Sequence, residues 1–372
     1  MSDSSATPSH RAKSRLSRRG AIGAAGGLAA AAVVTPVVFA ATGSTDGGVA
    51  PGTSDDGTKT EKFPATRSAE ATGAGAARVA FPVDYVGLRW SGEQDGAWIR
   101  PTDGTWQDVP TGCAAANLDG GGTALVAAAS ATAYEVKVPE GATDVRSLAI
   151  DTTGGQQRSV KVPADTTRVR GVAYLSRAAW GADESKRFKV DGTENSPTKY
   201  YSAQVLTVHH TDTPNDDPDP AATVRAVYEY HAITNDWGDI GYHFLIDEAG
   251  RIYEGRYSGD DSIPAHDADG NVVTAFHTGG YNSGNLGIAL LGTLVDQGPT
   301  DAARGSLTRL VAALTRFHGL DPQAKVTYTN PVNGVQKGVS TVGGHRDWMA
   351  TECPGATMYA LLDDVRAAAA ER

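Results

Sequence analysis

Two hydrophobic periods alternate along residues 170–372. "AQVLTVHH" (203–210) and "LGIALLG" (286–292) are short, nearly continuous apolar runs of buried-strand length. "YHFLIDEAGRIYEGR" (242–256) reads as two strands joined by a short turn at Glu248–Gly250. Between these runs the period lengthens to that of a helix. "DPAATVRAVYEYHAI" opens on Asp219 as a cap with Pro220 in the first turn. A second helix is predicted from Thr300 to a stop at Gly319, with Leu307, Leu310, Val311, Leu314 and Phe317 on one stripe. A last one, carrying Met358, Leu361, Leu362 and Val365, follows Cys353. Interleaved strands and helices predict an α/β domain, a central mixed sheet flanked by helices, over residues 170–372.

The pattern before it differs. From Phe81 to about Ala164 short alternating runs ("YVGLRW", "AWIRP", "YEVKVP", "SLAIDTT") are separated by turn residues, which predicts a small antiparallel β domain over 79–165. Its Trp90, Trp98 and Trp106 suit core packing better than a sugar-binding face. Residues 41–78 are poor in large apolar side chains and rich in Gly, Ser, Thr and Ala, which predicts a flexible linker. Residues 1–40 read as an export signal. Adjacent Arg18 and Arg19 after Ser17 resemble a twin-arginine motif, a weakly apolar Gly/Ala stretch follows, and small residues near Ala40 suit cleavage. Pro36 and the many glycines make a spanning helix poor, so no stable membrane insertion is expected after cleavage and the protein is expected to be secreted or wall-associated.

Charge narrows the partners. The net charge is -10, and the export segment holds Arg11, Lys13, Arg15, Arg18 and Arg19 against Asp3, so the rest is more acidic still. Such a chain has no basic field for nucleic acid or an anionic bilayer. Its 2 cysteines, Cys113 and Cys353, make no disulfide framework. Cys113 reads as a small buried hydrophobe.

Cys353 reads differently. In "GGHRDWMATECPGATMYALL", His345 and Cys353 lie in a glycine-rich polar segment, and Pro354 suits a first helical position that would put the sulfur at a helix N-terminus. Thiolate and neutral imidazole are ligands that Zn²⁺ selects. A catalytic zinc needs a third, and the pair His209–His210, at the end of a predicted strand, is the best source. The spacing matches no compact metal motif and does not choose between the two.

Five segments carry a family resemblance: "WGA" (180–182), "VHHT" (208–211), "YHAITNDWGDIGYHFLIDEAGRIYEGR" (230–256), "YNSGNLGIALLG" (281–292) and "GGHRDWMATECPG" (343–355). In order and spacing they resemble the peptidoglycan recognition proteins and the related type 2 N-acetylmuramoyl-L-alanine amidases. The resemblance implies that His209, His345 and Cys353 hold zinc, that Tyr242 and Thr351 are active-site residues, and that His231, Trp237, His243, His277 and Asn282 line a groove for a muramyl peptide. His210 is then the neighbour facing the other way, since successive strand residues point to opposite faces. The segment 257–278 is longer than the family's usual connection. It leaves His266 in an insertion that reads as a solvated loop.

Two histidines and a thiolate leave a fourth tetrahedral position for water, as hydrolytic zinc sites require. The activity implied is an exported zinc amidase cutting between N-acetylmuramic acid and L-alanine of peptidoglycan. A non-catalytic peptidoglycan-binding module is the alternative, disfavoured by the presence of Cys353, which binders of the family typically lack.

Overall fold

The computed structural model describes residues 57–102, 104–109, 120–259 and 263–372. The proposed export signal and Cys113 lie outside them.

The first eight strands are β1 (Thr58–Pro64), β2 (Arg67–Thr72), β3 (Gly75–Ser91), β4 (Trp98–Pro101), β5 (Gln107–Asp108), β6 (Gly122–Lys137), β7 (Thr143–Asp151) and β8 (Gln157–Pro163). Six of them form a sheet in the order β2-β7-β3-β6-β4-β5, and β1 pairs antiparallel with β8. Val86, Leu88, Trp90, Ile99, Val126 and Val136 fill its core. This corrects the predicted linker from residue 58 onward: β1, β2 and the start of β3 lie within it. Their alternation is real but written in Thr, Lys, Glu, Ser and Ala. Such edge-type strands bury little apolar area, so composition alone disguises them. Of the three tryptophans only Trp90 is core. Trp98 is 41% exposed, and Trp106 lies under the Arg100 and Lys137 cations.

The C-terminal half follows the predicted α/β plan. Strands β9 (Val205–His210), β10 (Phe244–Ile246), β11 (Ile252–Glu254) and β12 (Asn285–Leu290), together with β15 (Val342–Gly344), form one mixed sheet in the order β11-β10-β12-β9-β15. A separate hairpin, β13 (Lys325–Thr329) and β14 (Gln336–Ser340), precedes β15. β9 runs parallel to both of its neighbours, β12 and β15, while β10 and β11 form the expected antiparallel hairpin.

Helix α1 (Pro220–Glu229) starts as predicted: the Asp219 carboxylate accepts the Ala222 N–H. It passes into a wider π turn at Tyr230–Thr234. Helix α2 (Asp301–His318) is capped by Thr300, whose Oγ1 accepts from Ala303 N, and ends at Gly319 in the left-handed region. The last helical stretch is α3 (Ala356–Ala360) followed by α4 (Leu362–Ala370).

The sheet is two-faced. Leu206, Val208, Phe244, Ile246, Leu286, Ile288 and Leu290 point toward Leu307, Leu310, Leu314, Met358 and Val365 of the C-terminal helices. The opposite face carries Thr207 and His209, and α1 packs there with Leu245 and Ala289 through Val224, Val227 and Tyr228. The insertion after Arg256 is not a solvated loop. Val272–Val273 pairs with Tyr200–Tyr201, Ala265 and Val273 are fully buried, and His266 Nε2 meets His318 Nε2 at 2.9 Å. Its acidic text conceals apolar anchors at 265 and 272–275.

Candidate metal centre and groove

The parallel pairing of β9 with β15 brings two distant segments to one rim. His209 is the penultimate residue of β9, and His345 follows Gly344 directly at the same carboxyl-terminal rim. Cys353 comes from the loop before α3. The donor atoms of His209, His345 and Cys353 lie within 4.8 Å of one another. His209 Nδ1 is 3.6 Å from Cys353 Sγ, and the His209 and His345 rings stand 4.5 Å apart. All three residues are fully buried.

Two features fit this cluster to a metal. Both ring nitrogens of His345 are buried with no hydrogen-bond partner among the described residues, an arrangement that is costly unless something else engages them. Burial, joined by the His277 and His210 rings, also pushes His345 down to about 3, so the ring is neutral and offers a lone pair. His209 is likewise held well below its ordinary value, first by burial and then by His345 and His277. Neutral imidazoles beside a cysteine sulfur, which binds metal as the thiolate, are the donor set of a zinc site.

The tautomer of His209 follows from the bonds behind it. His277 Nε2 lies 3.0 Å from the Asn285 carbonyl, which can only accept, so that nitrogen carries the proton. Its Nδ1 must then accept from His209 Nε2, 3.0 Å away. This leaves the His209 Nδ1 lone pair facing Cys353. Gly287 makes room for the relay, since a Cβ there would stand 2.6 Å from the His277 ring. His210 faces the helix side, where Nδ1 accepts the Leu294 N–H at 3.1 Å. Its backbone N–H reaches Cys353 Sγ at 3.4 Å. The helix-terminus expectation for Cys353 is corrected here: α3 begins only at Ala356, with Gly355 as its cap, so the sulfur's nearby donor is the His210 amide.

The remaining predicted site residues separate into two groups. Tyr242 and Trp237 belong to one aromatic cluster beside the His209–His345–Cys353 group. Tyr242 lies 5.2 Å from the His209 ring and 5.3 Å from His231, and the half-buried Trp237 lies 4.8 Å from His231. Thr351 is half-buried on the Cys353 turn, its hydroxyl accepting the Cys353 N–H at 3.2 Å. Asn282 holds the turn before it, Oδ1 accepting the His277 and Thr278 N–H groups.

The other group is interior. His243 is fully buried, Nε2 donating to the Val273 carbonyl and Nδ1 accepting from Gly287 N, so both nitrogens are spent on the fold. His231 is buried and accepts the Gly241 N–H, and burial pushes it down to about 3. His277 is the relay already described. All three are buried with ring nitrogens bonded to the fold, and Tyr242 is equally buried beside them. Polar residues near a motif can serve either the fold or a substrate, and only their hydrogen-bond partners tell which. Sequence reasoning missed Asn285 and Gly287, which have no chemistry of their own. The "GNLG" spacing on a buried strand is their one signal, since a strand glycine marks a close approach.

Residues 199–356 match the family described as N-acetylmuramoyl-L-alanine amidase. A human N-acetylmuramoyl-L-alanine amidase is 32% identical over 162 residues, which is 42% of this chain and 23% of that protein. Human peptidoglycan recognition protein 3 is 33% identical over 189 residues, covering 50% of this chain and 45% of the relative. The chain thus spans less than half the length of these curated relatives. Wild-type Drosophila PGRP-LB is similar at 26% identity with a TM-score of 0.38, covering 51% of this chain and 92% of that one.

Proposed function

We propose that this chain, whose C-terminal half carries a domain of the peptidoglycan recognition and type 2 amidase family, is an exported zinc-dependent N-acetylmuramoyl-L-alanine amidase. The observation that carries the reading is the buried His209–His345–Cys353 cluster with both His345 nitrogens unpartnered among the described residues. A family domain that only bound wall fragments would have no need of such a cluster. A zinc ion bound there would supply Lewis acidity toward an amide carbonyl and activate water.

The chain's own residues do the rest. His277 holds His209 in the tautomer that presents Nδ1. The His210 amide and the Thr351 hydroxyl shape the Cys353 turn. Tyr242 is the candidate donor to the carbonyl oxygen as charge develops on it. Trp237 and Asn282 are the candidate contacts for the muramyl peptide. The substrate class follows from the amidase and recognition relatives, and the acidic chain argues against nucleic acid. Among the described residues no helix is long and apolar enough to cross a membrane. Export rests on the twin-arginine reading of the first forty residues.

Peptidoglycan digestion tests the assignment directly. An amidase releases new N-terminal alanine without new reducing sugar ends, and a chelator stops it. New reducing ends, or an amine freed inside the stem, would replace this reading with a glycosidase or an endopeptidase. Binding without release would favour a recognition module.

A further inference from the structure

The N-terminal strands and the C-terminal half pack within one compact unit; besides the contacts of Arg158 with the Gly181 carbonyl and of Arg225 with the Thr152 carbonyl, they meet at the end of α1 and the turn that follows it. Leu148 and Ile150 of β7 join Ala226 and Tyr230 in a shared apolar cluster, with Tyr85 and Leu125 against it. The approach is close: a Cβ on Gly87 of β3 would stand 2.6 Å from Thr234 Oγ1 and 2.9 Å from the Tyr230 ring. Polar contacts ring this cluster. Tyr85 OH meets Thr223 Oγ1 at 2.8 Å, and Ser68 donates to the Glu229 carboxylate at 2.7 Å.

One contact reaches further than the rest. Thr123 of β6 is buried and has a single hydroxyl proton. That hydroxyl lies 2.6 Å from Asn235 Oδ1, which can only accept, so Thr123 donates there. It must then accept from Tyr230 OH at 2.5 Å. Arg89 of β3 donates to the Asn235 backbone carbonyl at 3.3 Å. Tyr230 and Asn235 bracket the π turn, and the turn leads into the groove. His231 O accepts the Trp237 N–H at 3.1 Å, and His231 Nδ1 accepts the Gly241 N–H at 3.0 Å, immediately before Tyr242. Gly241 has no space to spare, since a Cβ there would meet the Trp237 ring at 2.8 Å.

The geometry points to Thr123, in the N-terminal strands, as a positioning residue for the groove: through Tyr230 and Asn235 it sets the π turn that places Trp237 and Tyr242 beside the metal ligands. The N-terminal strands are thereby a brace built into the active half, and not a separately tethered wall-binding module. The catalytic part of this inference rests on the function proposed above. The mechanical part does not.

The test uses the full chain with Thr123→Val, which keeps the shape and removes the hydroxyl, and Thr123→Ser as the conservative variant. Amide exchange is read at Trp237 and Gly241, with β9 amides as the internal reference. The expected result for Thr123→Val is exchange about tenfold faster at the two groove amides with β9 unchanged, and parental behaviour for Thr123→Ser. Turnover of a soluble muramyl tripeptide should fall on the order of tenfold in kcat, with bound zinc unchanged. If Thr123→Val is poorly folded, Gly87→Ala perturbs the same contact from the β3 side and should give the same exchange pattern. Parental exchange at Trp237 and Gly241 in a folded variant overturns the brace. An inactive parent with the expected exchange pattern would sink the amidase reading and leave the brace standing.

Discussion

His277 gives the sharpest test of the proposed metal centre, because it touches no predicted ligand atom and reaches His209 through a hydrogen bond on the far side of the ring. His277→Ala removes the acceptor of the His209 Nε2–H bond at 3.0 Å and the donor to the Asn285 carbonyl at 3.0 Å. His209 then loses both its fixed ring orientation and its fixed tautomer, and a metal bound there would have to select among states that the parent does not visit. Loss of a partner of this kind costs about 10–100-fold in metal affinity, or roughly 1.4–2.8 kcal/mol. Gly287→Ala should act in the same direction without altering any polar group, since its methyl would press on the buried His277 ring. The assay is competition for zinc against a chromogenic chelator, with thermal melts of the metal-free proteins to separate affinity from stability. A zinc affinity within about twofold of the parent in folded His277→Ala would refute the relay, a change well below the smallest loss such a partner should cause.

Two further outcomes follow from the same geometry and one from the sequence. Cys353→Ser and His209→Ala should each lose zinc and activity while staying folded, because the site sits at the sheet rim above an independent core. His210→Ala should keep zinc but lose about 1–3 kcal/mol of stability, since the buried Leu294 N–H loses its acceptor; zinc content and urea melts on all three separate the cases, and the reverse order would exchange the two histidines. Acid should destabilise the fold: His231, held at about 3 by burial against an ordinary 6.5, stays neutral in the native state while the unfolded chain takes up a proton. Its contribution is present above pH 6.5 and is lost as pH falls toward 3, at about 1.4 kcal/mol per pH unit. His231→Gln should flatten the urea-measured slope between pH 6 and 5 by about that amount, and an unchanged slope would mean His231 does not titrate with unfolding. Replacing both Arg18 and Arg19 with lysine should retain the protein in the cytoplasm, read by fractionation; unchanged secretion would point to the general secretory route.

The sequence by itself determined what local chemistry and period can determine. The cap at Asp219, the helix start near Thr300, the stop at Gly319, the hairpin after Tyr242 and the Leu307–Leu314 part of the apolar stripe of α2 are set by neighbours within a turn or two, and they appear where the pattern puts them. The family motifs also named His209, His345 and Cys353, which the fold brings within 4.8 Å. What only the tertiary structure decided is the partner of each polar group. Nothing near His277 in the sequence says that its ring lies between His209 and the carbonyl of Asn285, because that depends on how β12 pairs with β9 and on the space Gly287 leaves. Nothing near His243 announces that both of its nitrogens are spent on Val273 and Gly287. β1 and β2 look like linker because short polar side chains form a strand only once β8 and β7 supply the ladder. Period and capping act over a few residues, whereas the partners of His209, His210 and His243 lie on segments tens to more than a hundred residues away, brought together by burial of the sheet's apolar face.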